Sequence, residues 1–275
     1  QNLLSEGRYS AVVFPSSGYE PLGVEIVRET RALGIPSICL IDNWDNLSSK
    51  TVFWEKPSML GVWGEQAKAQ ATVIHGFSEA SIALVGSPRF EKYFDRNSLR
   101  KLPREHVEPY ILFVGSAMPF DELAALKQVE NWLGKIDSSG TLRVIYRPHP
   151  QQQKRKTPST FYPEDFRRVT LDNQFLEAAR SGVNVPGTTH SRLAGNKFQP
   201  SLDRYPALLS GARLVIGPLT TMLLEASLCL TPAIGLAYSD KTHFNTTLKY
   251  FTHFDGMEKL PGFRFCFSEA DLGET

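Results

Sequence analysis

Short apolar runs alternate with amphipathic stretches along most of the chain. The runs are rich in Val, Ile and Leu, have the length of strands, and are followed by segments with the apolar spacing of helices. Runs that are apolar at every position are typical of parallel strands covered on both faces. In the first part of the chain this pattern predicts strands over 9–14, 37–41, 59–63 and 82–85, with helices over 22–33 and 65–75.

A second series of the same kind begins at Tyr110. Asp121 is placed to cap a helix there, because its carboxylate can accept from the unpaired amides of the first turn. Residues 89–109, between the two series, are charged and contain two prolines, which is typical of a linker. Residues 151–173 are polar and are predicted to form a loop. The second series predicts strands over 110–114, 142–146, 208–216 and 232–236, with helices over 121–136 and 221–228.

The two series together predict an α/β protein with two Rossmann-like domains that face a cleft. Residues 1–105 would form the N-terminal domain and residues 106–275 the C-terminal domain. The first residues resemble the end of a helix, and residues 268–275 resemble the start of another. The chain is therefore expected to be cut from a longer protein, with an incomplete N-terminal domain.

Composition narrows the class of protein. Thirty Lys and Arg against 29 Asp and Glu leave a net charge of +1, which gives no basic surface for nucleic acid. A hydrophobic fraction of 41% excludes an intrinsically disordered chain. No apolar run approaches the roughly 18 residues of a membrane span. Cys39, Cys229 and Cys266 lie far apart, which favours free thiols in a reducing, cytoplasmic environment.

The first candidate site is Tyr146-Arg-Pro-His-Pro150, directly after a predicted strand. Ligands of open parallel sheets bind beyond the carboxyl ends of strands, where Arg147 and His149 stand. Arginine offers a planar fork of donors for a phosphate, and histidine can stabilise an oxyanion or transfer a proton. The alternative is an ordinary strand exit with two solvated side chains.

A second candidate is the helix start that follows the strand ending at Gly217. Backbone amides near Thr220 and Thr221, with the positive end of the helix dipole, are suited to an anion. Glu225 lies one turn further on the same face, where its carboxylate can accept from ribose hydroxyls. The alternative is that Thr220 only caps the helix and Glu225 lies on the surface.

Gly115 and Ser116, after the strand over 110–114, would let a ligand approach the backbone closely.

Polar residues also follow two strands of the first series. Glu20, Asp42 and Asp45 are candidate general bases there. The alternative is that both stretches are ordinary polar turns. The neighbouring side chains predicted to bind an acceptor are Ser16, Ser17, Asn43, Trp44, Asn46, Ser48 and Lys50.

Several common motifs are missing from the sequence. It contains no P-loop, no Gly-x-Gly-x-x-Gly, no Cys-x-x-Cys and no helical His-x-x-x-His pair. We therefore expect neither a metal nor a cofactor.

From about Tyr9 to Leu236 the chain resembles the GT-B glycosyltransferases that build bacterial surface polysaccharides. The similarity extends to CDP-glycerol glycerophosphotransferases and UDP-GlcNAc 2-epimerase-like proteins. In the first half it is carried by Trp44-Asp-Asn-Leu-Ser-Ser-Lys50, Gly61-Val-Trp-Gly-Glu65 and Gly86-Ser-Pro-Arg-Phe90. In the second half, Arg147-Pro-His-Pro150 is similar to the His-Pro element of sialyltransferases and Kdo transferases, and Thr220-Thr221 stands at their Ser/Thr pair. The resemblance implies that both elements hold the phosphate of a sugar nucleotide and that Glu225 takes its ribose.

The leading hypothesis is a metal-independent, inverting glycosyltransferase with a nucleotide-sugar donor and a glycan or lipid-linked acceptor. One of Glu20, Asp42 and Asp45 would deprotonate the acceptor, while His149 or the helix dipole stabilises the departing phosphate. The alternatives are a CDP-glycerol glycerophosphotransferase, a UDP-sugar 2-epimerase-like enzyme and a non-catalytic sugar-nucleotide or glycan-binding module. Enzymes of the resembled families work at the inner membrane face, and the basic clusters 100–104 and 154–156 are candidates for peripheral contact with anionic lipid.

Overall fold

The computed structural model describes residues 2–95, 106, 108–149, 161–180, 204–241, 248 and 251–275. The chain divides into two compact units. The first comprises Gln1–Arg89 and Lys249–His253, and the second comprises Phe90–Leu248 and Phe254–Thr275.

The first unit is built on a parallel sheet in the order β1-β2-β3-β4. Its strands are β1 (Val12–Ser16), β2 (Ser37–Ile41), β3 (Met59–Val62) and β4 (Ile82–Leu84). Its helices are α1 (Asn2–Glu6), α2 (Pro21–Ala32) and α3 (Glu65–Val73). All three strand pairs are parallel, so the loops after these strands lie at one edge.

One face of this sheet carries the core of the first unit. Helices α2 and α3 both contribute to a single apolar cluster that includes Phe14, Val27 and Ala71. On β1, Phe14 is buried while its neighbour Val13 is 58% exposed. The expectation of strands covered on both faces is therefore wrong for β1. Its apolar residues follow one another without interruption, but only alternate positions of the strand are buried.

The second unit is built on a six-stranded parallel sheet in the order β10-β9-β8-β5-β6-β7. Its strands are β5 (Tyr110–Val114), β6 (Arg143–Arg147), β7 (Val169–Leu171), β8 (Leu214–Pro218), β9 (Ala233–Leu236) and β10 (Phe263–Cys266). Its helices are α4 (Glu91–Phe94), α5 (Glu122–Ile136), α6 (Asn173–Arg180), α7 (Tyr205–Gly211) and α8 (Thr221–Leu228). Every residue of the central strand β5 is buried, as its continuous apolar run predicts.

The predicted α/β class, with two parallel sheets, is confirmed. Asp121 caps α5 as predicted, since its Oδ1 accepts from the Ala124 amide over 3.0 Å. The stretch 151–173, predicted to be a loop, contains β7 instead. The strand predicted over 208–216 begins only at Leu214. Leu208 and Leu209 are apolar because they lie on the buried face of α7 and not because they belong to the strand.

The linker predicted over 89–109 begins at the change from the first unit to the second, which falls between Arg89 and Phe90. Helix α4 lies within it, and Tyr93 of that helix is buried. The domain boundary predicted between residues 105 and 106 stays a prediction, because residues 96–105 lie outside the described part of the chain.

Candidate functional site

Three loops of the second unit meet at one edge of its sheet. Because β5, β6 and β8 are parallel neighbours, the residues that follow them lie beyond the same carboxyl edge. The Ser116 hydroxyl donates to the Leu219 carbonyl over 3.1 Å, and the Gly115 amide donates to the Arg147 carbonyl over 2.8 Å. The structure therefore brings together the stretches that the sequence predicts to bind the donor.

The packing of this edge requires Gly115 and Gly217. A Cβ atom on Gly217 would lie 2.1 Å from the carbonyl oxygen of Val114, and one on Gly115 would lie 2.7 Å from the amide nitrogen of His149. Neither position accepts a side chain without a shift of the backbone. Both residues must therefore be small for the strand ends to pack against each other. That they also allow a ligand to approach the backbone closely stays a prediction.

The buried carboxylate of Glu122, in the first turn of α5, accepts hydrogen bonds from the loop after β5 and from β6. Its Oε1 accepts from the Ser116 amide over 3.0 Å, and its Oε2 accepts from the Tyr146 hydroxyl over 2.6 Å. A carboxylate is favourable at a helix N-terminus. The Ser116 amide is therefore already paired within the protein. Sequence reasoning missed this residue, although it directly follows the predicted cap Asp121.

Arg147 is not the solvent-facing donor that its place at a strand end predicts. Its side chain is 2% exposed, and Nη1 lies 2.8 Å from Oδ1 of the equally buried Asp172, without the alignment of a hydrogen bond. Its guanidinium carbon stands 4.4 Å from the ring centre of Tyr205 and 5.4 Å from that of Phe175. These contacts favour a structural role, and direct contact of Arg147 with a phosphate stays a prediction.

His149 and the start of α8 complete this edge. His149 is half-buried, and α8 begins at Thr221 with Thr220 at its N-cap position, as predicted. The Thr220 hydroxyl makes no capping hydrogen bond, while the Thr220 carbonyl accepts from the Leu223 amide over 3.1 Å. Capping therefore does not account for the Thr220 side chain. His149, Thr220 and Thr221 stay candidates for contact with an anion.

Glu225 is not a surface residue. It has no exposed surface, and its Oε2 accepts from the Tyr93 hydroxyl over 2.6 Å. Tyr93 belongs to α4, in the stretch that the sequence predicts as linker, so sequence reasoning did not find it. The predicted role of Glu225 in binding a ribose now has to account for this hydrogen bond.

In the first unit, the loops after β1 and β2 meet at Asp42. The Ser17 hydroxyl donates to its carboxylate, with Oδ1 3.1 Å and Oδ2 3.2 Å away, and the Asn46 amide nitrogen also donates to Oδ1. Asp42 remains exposed to solvent. The arrangement gives an accessible carboxylate held in place by two donors.

Glu20 closes the loop after β1. Its carboxylate accepts from the Ser16 hydroxyl and, over 3.0 Å, from the Ser17 amide. Burial opposes ionisation, but these hydrogen bonds outweigh it and lower the pKa of Glu20 to about 2. A carboxylate with so low a pKa is a weak base, so the contacts favour a structural role over proton abstraction.

Asn46–Lys50 form a π-helical turn, and contacts of the residues next to it and at its end hold it in place. Lys50 Nζ lies 2.5 Å from Oδ2 of Asp45, and Oδ1 of Asn43 accepts from the Trp44 amide over 3.0 Å. Single turns of π-helix are frequent at functional sites. The predicted acceptor residues thus lie at the end of β1 and in the stretches that directly follow β1 and β2, and their role stays a prediction.

His253 joins this turn from a distant part of the chain. Its Nδ1 lies 3.0 Å from the Ser48 hydroxyl, and its ring meets that of Trp44 edge to face at 4.9 Å between centroids. Ser48 and His253 are 205 positions apart, so no local pattern indicates the contact. Burial lowers the pKa of His253 to about 4, with nearby Asp45 raising it and Lys50 lowering it.

We expect His253 to make the protein less stable as the pH falls from about 6.5 to about 4. Above pH 6.5 the imidazole is neutral in both the folded and the unfolded state. Between pH 6.5 and 4 the unfolded chain binds a proton that the folded chain does not, so the free energy of unfolding decreases as the pH falls. The full loss is about 3 kcal/mol, at about 1.4 kcal/mol per pKa unit. Urea unfolding of the wild type and His253→Phe across this range measures it. Equal pH slopes for the two proteins would contradict the prediction.

The structure bears only in part on the predictions about membrane contact and metal binding. The basic clusters 100–104 and 154–156 lie outside the described residues. Among the helices that the structure describes, none is long and apolar enough to cross a membrane. Within the same described part of the chain, no group of three or more His, Cys, Asp or Glu is arranged to hold a metal ion.

Comparison with known proteins identifies the fold. No protein-family pattern and no curated protein matches the sequence. The solved structure of UDP-GlcNAc 2-epimerase from Methanocaldococcus jannaschii aligns with 99% of this chain and 69% of its own, at 13% identity and a TM-score of 0.55. Its complex with UDP-GlcNAc and UDP aligns with 97% of this chain and 67% of its own, at 14% identity and a TM-score of 0.47.

A variant of the wall teichoic acid polymerase TagF is also similar, over 96% of this chain and 78% of its own, at 12% identity and a TM-score of 0.42. The chain thus spans about two thirds of the epimerase. At such identities the likeness concerns the fold alone, which is of the GT-B type with two parallel α/β units.

Proposed function

We propose that this protein acts on a nucleotide-activated sugar and transfers the sugar to a hydroxyl of a glycan or lipid-linked acceptor. The observation that carries the proposal is the meeting of three polar loops at the carboxyl edge of the second sheet, next to the buried carboxylate of Glu225. In parallel α/β sheets this edge is where nucleotides bind. The epimerase with the same type of fold, in its complex, binds UDP-GlcNAc and UDP.

In the proposed donor site, the diphosphate lies at the start of α8, near Thr220, Thr221 and His149. The helix dipole and these side chains would stabilise the negative charge that develops on the leaving phosphate. The loop after β5 is a poorer phosphate site, because Glu122 already accepts from the Ser116 amide. Arg147 and Asp172 support this edge from within.

In the proposed acceptor site, Asp42 takes the proton from the attacking hydroxyl. It is the exposed member of the three candidate carboxylates, whereas Glu20 is a weak base and Asp45 is paired with Lys50. A single displacement with inversion follows if no protein side chain attacks the sugar first. The fixed donors of the second unit supply charge stabilisation in this scheme, and no metal or cofactor takes part.

A second candidate is epimerisation of a UDP-sugar, favoured by the fold shared with UDP-GlcNAc 2-epimerase. The two activities differ in what they need. An epimerase isomerises the nucleotide sugar without an acceptor, whereas a transferase releases the nucleotide only when an acceptor hydroxyl takes the sugar. A CDP-glycerol glycerophosphotransferase would release CMP. A non-catalytic module would bind the nucleotide and release nothing.

The test is a thermal-shift series with CMP, CDP, UDP and GDP. A ligand at about 100 times its Kd stabilises the folded state by about 2.7 kcal/mol, which raises the Tm. We expect one nucleotide to raise the Tm, with a smaller rise in His149→Ala and in Thr221→Val. His75→Ala changes a half-buried histidine of the first unit and serves as the matched control. No rise with any nucleotide, on folded protein, would contradict the proposal.

A further inference from the structure

A cavity of about 370 Å³ lies on one face of the sheet of the second unit. Residues at alternate positions along three neighbouring strands line it, and alternate residues of a strand share a face. Ile216, Ile234 and Arg264 are register partners across β8, β9 and β10 and form one row of this lining. A second row, at the amino ends of the same strands, consists of Leu214, Pro232 and Gly262.

Helix α5 and the turn Ala270–Gly273 complete the lining. Val129 and Trp132 belong to the helix and Leu272 to the turn. Val129 and Leu272 are buried, and Trp132 is half-buried. Cavities that bind small molecules measure roughly 300–1,000 Å³ and are mainly apolar with a few polar groups. The size and the largely aliphatic lining of this cavity therefore suit a ligand with an aliphatic body.

Arg264 gives the cavity its charge. It is exposed to solvent, and within the described part of the chain its guanidinium has neither an ion pair nor a hydrogen bond. Among the described residues that line the cavity there is no aspartate or glutamate. A guanidinium beside apolar surface and without a counter-charge is complementary to an anion, and its fork of donors fits both oxygens of a carboxylate.

We propose that this cavity binds an aliphatic carboxylate of the medium-chain fatty acid type, with its carboxylate on Arg264 and its chain between α5 and the sheet. The carboxylate has to be free, which distinguishes the ligand from the esterified chains of a membrane lipid. The cavity lies toward the amino ends of β8 and β9, whereas the proposed nucleotide site lies beyond the carboxyl ends of the strands. The inference is therefore independent of the proposed function, and the two ligands should bind without competition.

The experiment is isothermal titration of the wild type with butanoate, hexanoate, octanoate and decanoate. Affinity should rise about fourfold for each added methylene that the cavity buries. The alcohol 1-octanol should bind about fivefold more weakly than octanoate, the effect of losing an exposed ion pair. Trp132 is the only tryptophan in residues 90–275 of the sequence. Its fluorescence should change on binding, and Trp132→Phe should lose this change while the titration still detects binding.

Two variants separate the charge from the cavity. Arg264→Gln, at an exposed position, should weaken octanoate binding about fivefold and leave 1-octanol binding unchanged. Leu214→Trp fills the cavity from a half-buried position and should weaken the binding of both ligands by about tenfold or more. Arg213→Gln is the matched control, because Arg213 is an exposed arginine beside Leu214 that is not part of the lining.

Three results would overturn the inference. The first is that none of the four acids binds to the folded wild type. The second is that octanoate binds to Arg264→Gln as tightly as to the wild type, or no more tightly than 1-octanol does. The third is that octanoate binding is unchanged in folded Leu214→Trp. The Arg264→Gln titration decides between the outcomes even if Leu214→Trp does not fold.

Discussion

Replacing Asp172 by alanine is expected to lower the free energy of unfolding by about 3–5 kcal/mol. The variant leaves the guanidinium of Arg147 buried without its counter-ion, since the two side chains are 2% and 3% exposed. At such burial, solvent cannot compensate the charge. Urea unfolding at neutral pH measures the loss.

Two further variants separate this charge effect from other causes. Glu79→Ala removes an exposed ion pair with Lys68, at 3.0 Å, and should destabilise the protein far less than Asp172→Ala, because solvent screens exposed charges. The double variant Arg147→Met with Asp172→Leu removes both charges and should recover most of the lost stability, because an apolar pair of similar volume often replaces a buried ion pair without loss. A double variant as unstable as Asp172→Ala would show that the buried charges are not the cause.

The double variant also tests the predicted role of Arg147. If Arg147 only supports the sheet edge, the folded double variant still binds the nucleotide that raises the Tm of the wild type. If the guanidinium contacts the phosphate, nucleotide affinity falls although the fold is intact.

Replacing Asp42 by asparagine is expected to lower the rate of transfer by about 10²–10⁴-fold, the range for loss of a general base. Asparagine keeps the size of the side chain and an acceptor oxygen for the Ser17 hydroxyl, but it cannot take a proton. Nucleotide affinity should not change, because Asp42 belongs to the first unit and the proposed nucleotide site to the second. The measurement is nucleotide release in the presence of a glycan acceptor.

Glu20→Gln and Asp45→Asn are the matched controls, since each removes the charge of one other candidate base. We expect smaller losses of rate from both, because Glu20 accepts from Ser16 and Ser17 and Asp45 is paired with Lys50. Full activity of Asp42→Asn would contradict the prediction. If one of the two controls then showed a large loss of rate, the residue changed in that control would be the general base.

The local elements of this protein follow from its sequence because their signals lie within a few neighbouring residues. The continuous apolar runs that became β2 and β5 predicted both strands at their observed bounds. The stretch after Gly217 predicted a helix that begins near Thr220 or Thr221, and Asp121 was identified as a cap from its position alone. In parallel sheets the loops after the strands share one edge, so the meeting of Gly115, His149 and Thr220 could also be predicted.

The contacts that determine what these residues do could not be predicted in the same way. Whether Arg147 faces solvent depends on Asp172 and Tyr205. Asp172 directly follows β7 and Tyr205 begins α7, and the hydrophobic pattern predicted neither element. Glu225 is paired through Tyr93, in a stretch whose charge and prolines are typical of a linker. Apolar periodicity reports which face of an element is buried and does not identify the partner.

The sequence by itself determined the α/β class, most strands and helices, and the loops in which polar chemistry is concentrated, because these depend on periodicity and turn residues within about 15 positions. Only the tertiary structure decided that Arg147 is buried in an ion pair, that Glu20 is a weak base, that His253 supports the turn around Ser48, and that Tyr93 covers Glu225. Hydrogen bonds and ion pairs act over about 3 Å, so they depend on which distant segments packing brings into contact.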